Sequence, residues 1–301
     1  HQSFGNPQKI KSVSWNSFAL SARLTPILLD HDQYKVHKQP RFKESNMTTY
    51  VRFQNKGNSS FGVLDGETIS EISNAPFTSY QTTGNTFSVG DVKLLPPVSP
   101  NKIVAIGLNY KSHLGDRPGP AAPEPFLKAS TSVIGHGDEI VIPKIAIDEG
   151  VKVQPEAELA LVIGKKCKGA TQANALDYVF AYTCGNDVSA RDWQQNDLQW
   201  ARAKSSDTFG PIGPWMTTDL DPTNIQVVCR VNGEEKQNQN TSDLLHPVTK
   251  IIEYVSAVIT LEVGDVIMTG TPGTPGDIHP GDTVEVEISG VGVLSNPVVS
   301  E

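Results

Sequence analysis

Residues 153–164 read Val153-Gln154-Pro155-Glu156-Ala157-Glu158-Leu159-Ala160-Leu161-Val162-Ile163-Gly164. The apolar run Leu159–Gly164 has strand length. Side chains alternate along a strand, so Glu156 and Glu158 point to the same face. Two carboxylates on one face repel, and partial burial sharpens the repulsion. A divalent cation would relieve both costs, because hard cations such as Mg²⁺ take oxygen ligands. Taken alone, the pair reads more readily as two glutamates on a solvated strand face.

Strand patterns continue on both sides. Thr49–Phe53, Ser60–Leu64 and Thr68–Ile72 alternate apolar and polar residues, and Asp65-Gly66 between two of them is a hairpin signal. Ile103–Ile106, Glu139–Ile142, Phe180–Cys184, Ile225–Val231, Val266–Thr269, Thr283–Ile288 and Val291–Leu294 read as further strands. Helical patterns are fewer. Thr171–Val179 has a Thr cap and an apolar face, and Thr241–Leu245 is a shorter candidate. Val248–Val258 places Ile251, Ile252, Val255 and Val258 on one side. The helices do not alternate regularly with the strands, so the expected class is mainly β with a few helices, α+β rather than doubly wound.

Three regions are expected: a basic N-terminal extension over 1–46, a small β module over 47–98, and a larger domain over 99–301. Leu94-Leu95-Pro96-Pro97-Val98-Ser99-Pro100 reads as a linker between the last two. The extension carries a balance of +4 within a chain of net charge −8, leaving −12 for the remainder. It has no acid before Asp30 and carries Ser3, Ser12, Ser14, Ser17 and Ser21. Such a start resembles an organellar transit peptide, and a non-native or untidy extension is the alternative, with Met47 as an internal start. The acidic remainder argues against nucleic-acid binding. No apolar run is long enough for a transmembrane helix, so no membrane partner is expected. Cys167, Cys184 and Cys229 fit neither a disulfide framework nor a zinc motif, which favours an intracellular, cytoplasmic or mitochondrial setting.

Other motifs carry chemistry. Asp187, just past the Phe180–Cys184 strand, could supply a third carboxylate, or it caps an Asx turn. Arg191 and Gln194 could hold an anionic substrate, the guanidinium fork suiting a carboxylate, or Arg191 forms a structural ion pair. His113 and Asp116 stand close enough to pair within one helical turn, and a His oriented by a carboxylate makes a general base. Lys204 could anchor an oxyanion or carboxylate. Thr271, in Thr269-Gly270-Thr271-Pro272-Gly273, lies at a tight turn where it could touch a ligand.

The ordered set Gly-Leu-Asn-Tyr-x-x-His (107–113), Glu-Ala-Glu-Leu-Ala (156–160), Asn-Asp-Val-Ser-Ala-Arg-Asp-Trp-Gln (186–194), Ala-Lys-Ser-x-Asp-Thr-Phe-Gly-Pro (203–211) and Thr-Gly-Thr-Pro (269–272) resembles the fumarylacetoacetate hydrolase superfamily. Within it, the arrangement is most similar to the fumarylacetoacetate hydrolase domain-containing proteins and the hydroxyhepta-dienedioate isomerases. The resemblance implies a mixed β-roll, a homodimer, and Mg²⁺ or Mn²⁺ held by Glu156, Glu158 and Asp187. It places a catalytic dyad on His113 and Asp116, with Lys204 beside it, and substrate contacts on Tyr110, Arg191, Gln194 and Thr271. Asp116 stands where the family more often has the longer Glu, and Pro155 replaces a usual acidic or aromatic residue. Residues 114–128 correspond to the family's mobile lid.

Family substrates are small 2-oxo acids or β-dicarbonyl carboxylates. The metal would chelate the substrate and stabilise a developing enolate, and Lys204 would add positive charge beside it. His113 would then activate water or move a proton at the α-carbon. C–C bond hydrolysis of the acylpyruvase or fumarylpyruvate type is the leading expectation. Oxaloacetate tautomerisation, isomerisation or decarboxylation on the same site is the alternative. A non-catalytic metal-binding scaffold would need neither His113 nor Lys204.

Overall fold

In the computed structural model the described residues are 47–301, so the basic extension over 1–46 lies outside them. Strands dominate and helices are few and short, as the patterning implies. A large sheet runs in the order Thr82–Ser88, Thr68–Ile72, Asn58–Asp65, Thr49–Asn55, Gly210–Thr217, Val179–Asn186, Ala157–Ile163, Val266–Met268, Ile103–Gly107, Glu124–Lys128. A five-stranded sheet contains Glu234–Asn240, Gln226–Val231, Thr283–Ile288, Gly292–Ser300 and Ile140–Ile142. Among the described residues, no helix is long and apolar enough to cross a membrane.

Ala157–Ile163 is the central strand, and all of its residues are buried. Its alternation serves two cores. Leu159, Leu161 and Ile163 pack into the larger cluster with Val104, Ile251 and Val286, whereas Ala160 and Val162 pack with Ile103, Met216 and Met268. Burial on both faces explains why the run is continuously apolar. Pro155 lies just before it, where a missing N–H breaks no ladder bond, and separates it from the short strand Val153–Gln154.

The N-terminal strands do not form a separate sheet. Thr49–Asn55 pairs with Gly210–Thr217 through Thr49↔Thr217 and Tyr50↔Met216. Tyr50, Ile72 and Val98 share a cluster with Ile103 and Ala105. The stretch read as a linker begins later than Leu94, because Lys93–Leu95 is a strand paired with Thr49–Asn55.

The helix Val248–Val258 forms over the expected residues, with Ile251, Ile252 and Val255 buried. Val258 does not join them, and at 71% exposure it ends the helix facing solvent. The helix expected over Thr171–Val179 is reduced to a 3₁₀ turn, Ala175–Tyr178. Asn174 Oδ1 accepts from Thr171 N at 2.8 Å, and this local bond competes with a helical turn. Val179 then enters the next strand. Thr241–Leu245 is likewise only a 3₁₀ turn, Thr241–Asp243. The segment 114–128 is not all loop. Glu124–Lys128 is a strand paired with Ile103–Gly107, so only the part before it is irregular beyond the helix Lys111–Leu114.

Candidate metal centre

Strand pairing gathers the acidic residues. The Ala157–Ile163 and Val179–Asn186 strands are antiparallel, with Ala157 opposite Asn186. Their flanking residues Glu156 and Asp187 therefore meet at one end, and Asp187 N donates to Glu156 O at 2.9 Å. Asn186 Oδ1 accepts from Glu156 N at 3.0 Å and holds the turn. One carboxylate oxygen each from Glu156, Glu158 and Asp187 lies within 4.8 Å of the others, and all three residues are buried.

Three basic side chains surround this cluster. Lys204 Nζ donates to Glu156 Oε2 and Asp187 Oδ2, both at 2.7 Å. Lys128 Nζ donates to Asp187 Oδ1 at 2.6 Å and also to the carbonyl of Lys204. Arg191 Nη2 lies 2.5 Å from Glu156 Oε1. The consequences for ionisation differ. Burial opposes the Glu156 charge, yet Lys204, Arg191 and His113 overcome it and hold its pKa far below the usual range. Burial, with Asp187 and Glu156 alongside, pushes the Glu158 carboxyl well above its usual value. Burial also disfavours both lysine charges. Asp187 and Glu156 more than compensate at Lys204, whose pKa is raised, whereas Lys128 stays lowered.

Glu158 is thus the carboxyl without a cationic partner. Among the described residues, its one side-chain hydrogen bond is from Gly270 N at 2.6 Å. The adjoining cavity, about 20 Å³, has room for one ion or water. Hard oxygen donors, an uncompensated buried carboxyl and that small space fit a hard divalent cation. Glu156, Glu158 and Asp187 would hold it. The lysine contacts do not preclude this, because each carboxylate oxygen carries a second lone pair.

His113, on the helix Lys111–Leu114, lines the same cavity. Its Nδ1 lies 2.6 Å from Gly273 O. A carbonyl only accepts, so Nδ1 carries the proton and, in the neutral ring, Nε2 is left as the acceptor. Nε2 lies 3.5 Å from Glu156 Oε1. The expected pairing with Asp116 is not formed. The helix ends at Gly115 with φ +60, and Asp116 follows on the exposed turn. Gly273 takes the orienting place expected of Asp116.

The remaining expected contacts divide. Gln194 lines the cavity and accepts from Arg191 Nη1 at 2.9 Å, and Gln154 accepts from Arg191 Nε at 2.6 Å. Thr271 also lines the cavity, but its hydroxyl donates to Ala157 O at 2.9 Å and accepts from Gln237 Nε2 at 2.7 Å. It fastens the Thr-Gly-Thr-Pro loop to the central strand. Tyr110 is fully buried and its hydroxyl has no hydrogen-bond partner among the described residues. It is not part of the cavity wall. Burial and the nearby Glu158 push its pKa up.

Lys128 and Gln237 were not anticipated. Lys128 alternates with Phe126 on one strand face, a period-2 signal hidden by the prolines around it. Gln237 sits buried in an otherwise polar strand, where nothing in the sequence distinguishes it from its neighbours.

Residues 102–299 match the family described as Fumarylacetoacetate (FAA) hydrolase C-terminal, and residues 48–97 match Rv2993c-like, N-terminal. The chain is 42% identical over 227 residues to the mitochondrial oxaloacetate tautomerase fahd2 of Xenopus laevis, covering 70% of each protein. The 2-hydroxyhepta-2,4-diene-1,7-dioate isomerase structure from Mycobacterium marinum superposes with a TM-score of 0.78 at 42% identity, covering 84% of this chain and 99% of that one. The maleylpyruvate hydrolase of Sphingobium sp. SYK-6, solved with manganese(II) and pyruvate, gives 0.70 at 31% identity, with 84% and 99% covered.

Proposed function

Because the chain belongs to the fumarylacetoacetate hydrolase family, we propose that it is a divalent-metal-dependent enzyme that moves a proton at the α-carbon of a 2-oxo acid. Keto–enol tautomerisation of an oxaloacetate-like substrate is the reaction that the geometry supports best. The observation that carries this reading is His113. Its Nδ1–H is fixed on Gly273 O, and its acceptor nitrogen is directed to the carboxylate cluster without help from Asp116. One base that can take a proton and return it suffices for tautomerisation, in which no atom is gained or lost.

When bound, Mg²⁺ or Mn²⁺ supplies Lewis acidity that acidifies the α-carbon. The chain's own residues do the rest. Lys204 sits beside the carboxylates as a buried, charged donor that stabilises negative charge developing on a substrate oxygen. Arg191, braced by Gln154 and Gln194, holds the Glu156 carboxylate in place at the cluster. His113 Nε2 receives the proton from one atom of the keto–enol system and delivers it to the other. The oxaloacetate tautomerase relative supports this reading.

C–C bond hydrolysis is the second reading, favoured by the His-x-x-Asp spacing and by the maleylpyruvate hydrolase neighbour. Asp116 could assist it only by moving from solvent to the site. The deciding experiment incubates the metal-loaded protein with oxaloacetate, acylpyruvates and fumarylpyruvate, following enol absorbance and products together. Loss of enol absorbance without cleavage supports tautomerisation, pyruvate release from an acylpyruvate supports hydrolysis, and no effect on any of them defeats both.

A further inference from the structure

The strand Glu234–Asn240 edges the five-stranded sheet, yet two of its side chains reach the loop that orients His113. Gln237 and Gln239 alternate along it and share one face. They stand opposite Cys229 and Val227 of the neighbouring strand, both fully buried. Apolar residues are expected on such a face, because a buried amide costs free energy unless its hydrogen bonds are satisfied.

Gln237 uses both of its donors. Its Oε1 accepts from Ala157 N, between Glu156 and Glu158, at 3.0 Å. Its Nε2 donates to Thr271 Oγ1 at 2.7 Å and to Pro272 O at 2.5 Å. The amide cannot turn over, since Ala157 N only donates and Pro272 O only accepts. Gln239 is fixed by the same logic. Asp243 Oδ2 accepts from its Nε2 at 2.9 Å, which leaves Oε1 to accept from Ser112 Oγ at 2.5 Å. With its proton given to Gln239, Ser112 Oγ accepts from Gly273 N at 2.9 Å.

Pro272 O and Gly273 N belong to one peptide group. The two glutamines grip it from both sides, Gln237 directly and Gln239 through Ser112. The next carbonyl, Gly273 O, is the one that lies 2.6 Å from His113 Nδ1. Ser112 also precedes His113 on the helix Lys111–Leu114.

We propose that Gln237 and Gln239 are positioning residues, whose clamp on the Pro272–Gly273 peptide group fixes the tautomer of His113 and the reach of its free nitrogen. The inference rests on His113 being the base of the proposed reaction. Through Ala157 N, Gln237 ties the same clamp to the strand end that carries the carboxylates. A fully satisfied buried polar network rigidifies what it holds. An error of about 1 Å in the placing of a catalytic group costs up to about 10²-fold in rate.

Proton–nitrogen correlation spectra of the imidazole rings, recorded on the Mg²⁺-loaded protein with the rings neutral, read the tautomer without turnover. His113 is assigned as the signal that His113→Ala removes. The unmodified protein should show the Nδ1–H form alone. Ser112→Ala and Gln239→Met should mix the two tautomers. In both, kcat on oxaloacetate should fall roughly 10–10²-fold, with KM and Mn²⁺ affinity held within about threefold. Ser112→Thr keeps the hydroxyl and should restore the parent tautomer and rate. Ser112 is exposed and Gln239 half-buried, so these variants leave the core intact, and melting curves check the folding of the more deeply placed Gln237→Met, which should behave alike. A parent-like tautomer in both Ser112→Ala and Gln239→Met overturns the clamp. Mn²⁺ affinity that falls in step with kcat also overturns it, since that marks a merely structural role. If the protein turns over no 2-oxo acid, the proposed reaction fails and the tautomer alone decides for or against the clamp.

Discussion

Glu158 is the residue on which the metal assignment turns. Its carboxyl is fully enclosed, held among the described residues by a single backbone N–H, and pushed towards the neutral form by burial and then by its acidic neighbours. Removing it should weaken metal binding more than it disturbs the fold, because no lysine depends on it. We expect Glu158→Gln to reduce Mn²⁺ affinity at least tenfold, read by calorimetric titration, with the melting temperature of the metal-free protein unchanged or raised. Unaltered affinity would remove Glu158 from the ligand set. The Glu-x-Glu pair was legible because strand alternation is a local rule. The pairing of His113 with Asp116 failed because helical spacing presumes a helix that continues, and Gly115 ends it. Lys128 was missed for the opposite reason, a strand concealed within a proline-rich stretch.

At the scale of elements, the site depends on a loop that wraps the end of the central strand. Gly270 has φ +105, and a Cβ there would stand 2.7 Å from Asn109 Cβ. Asn109 is itself buried, donating to Thr269 O at 2.8 Å and accepting from His246 N at 2.8 Å, so it cannot give way. Gly270→Ala should cost about 1–3 kcal/mol, lowering the melting temperature by several degrees. It should also weaken metal binding, because the Gly270 N–H that holds Glu158 moves. A variant that melts and binds metal like the parent would show that this turn does not support the site. The strands and the Val248–Val258 helix were legible from hydrophobic periodicity. The helix expected at Thr171–Val179 was not realised, since Asn174 bonds its own backbone turn and tertiary pairing claims Val179.

Over the whole molecule, the N-terminal strands belong to the same sheet as the site. Tyr50 and Met216 face each other across the junction, and Ile212, Met216 and Val98 lie in one buried cluster. Separating residues 47–98 would expose that cluster and leave the Gly210–Thr217 strand unpaired on the side that Thr49–Asn55 covers. Residues 47–301 should therefore unfold in one calorimetric transition, with equal calorimetric and van't Hoff enthalpies, and two resolved transitions would contradict this. The class, mainly β with few helices, could be read from pattern alone. The continuity of the sheet could not, because pairing between strands so far apart in sequence leaves no local signature.

Three carboxyl groups, three basic side chains and one oriented imidazole meet at one site, and the proposal is that they serve metal-dependent proton transfer on a 2-oxo acid. The most direct test follows the enol absorbance of oxaloacetate with the Mn²⁺-loaded protein, the protein stripped by chelator, and His113→Ala. Acceleration over buffer is expected, lost on chelation and restored by Mn²⁺. In His113→Ala it should fall about 10²–10⁴-fold while calorimetric Mn²⁺ affinity is retained. Acceleration that survives either chelation or the loss of His113 would contradict it.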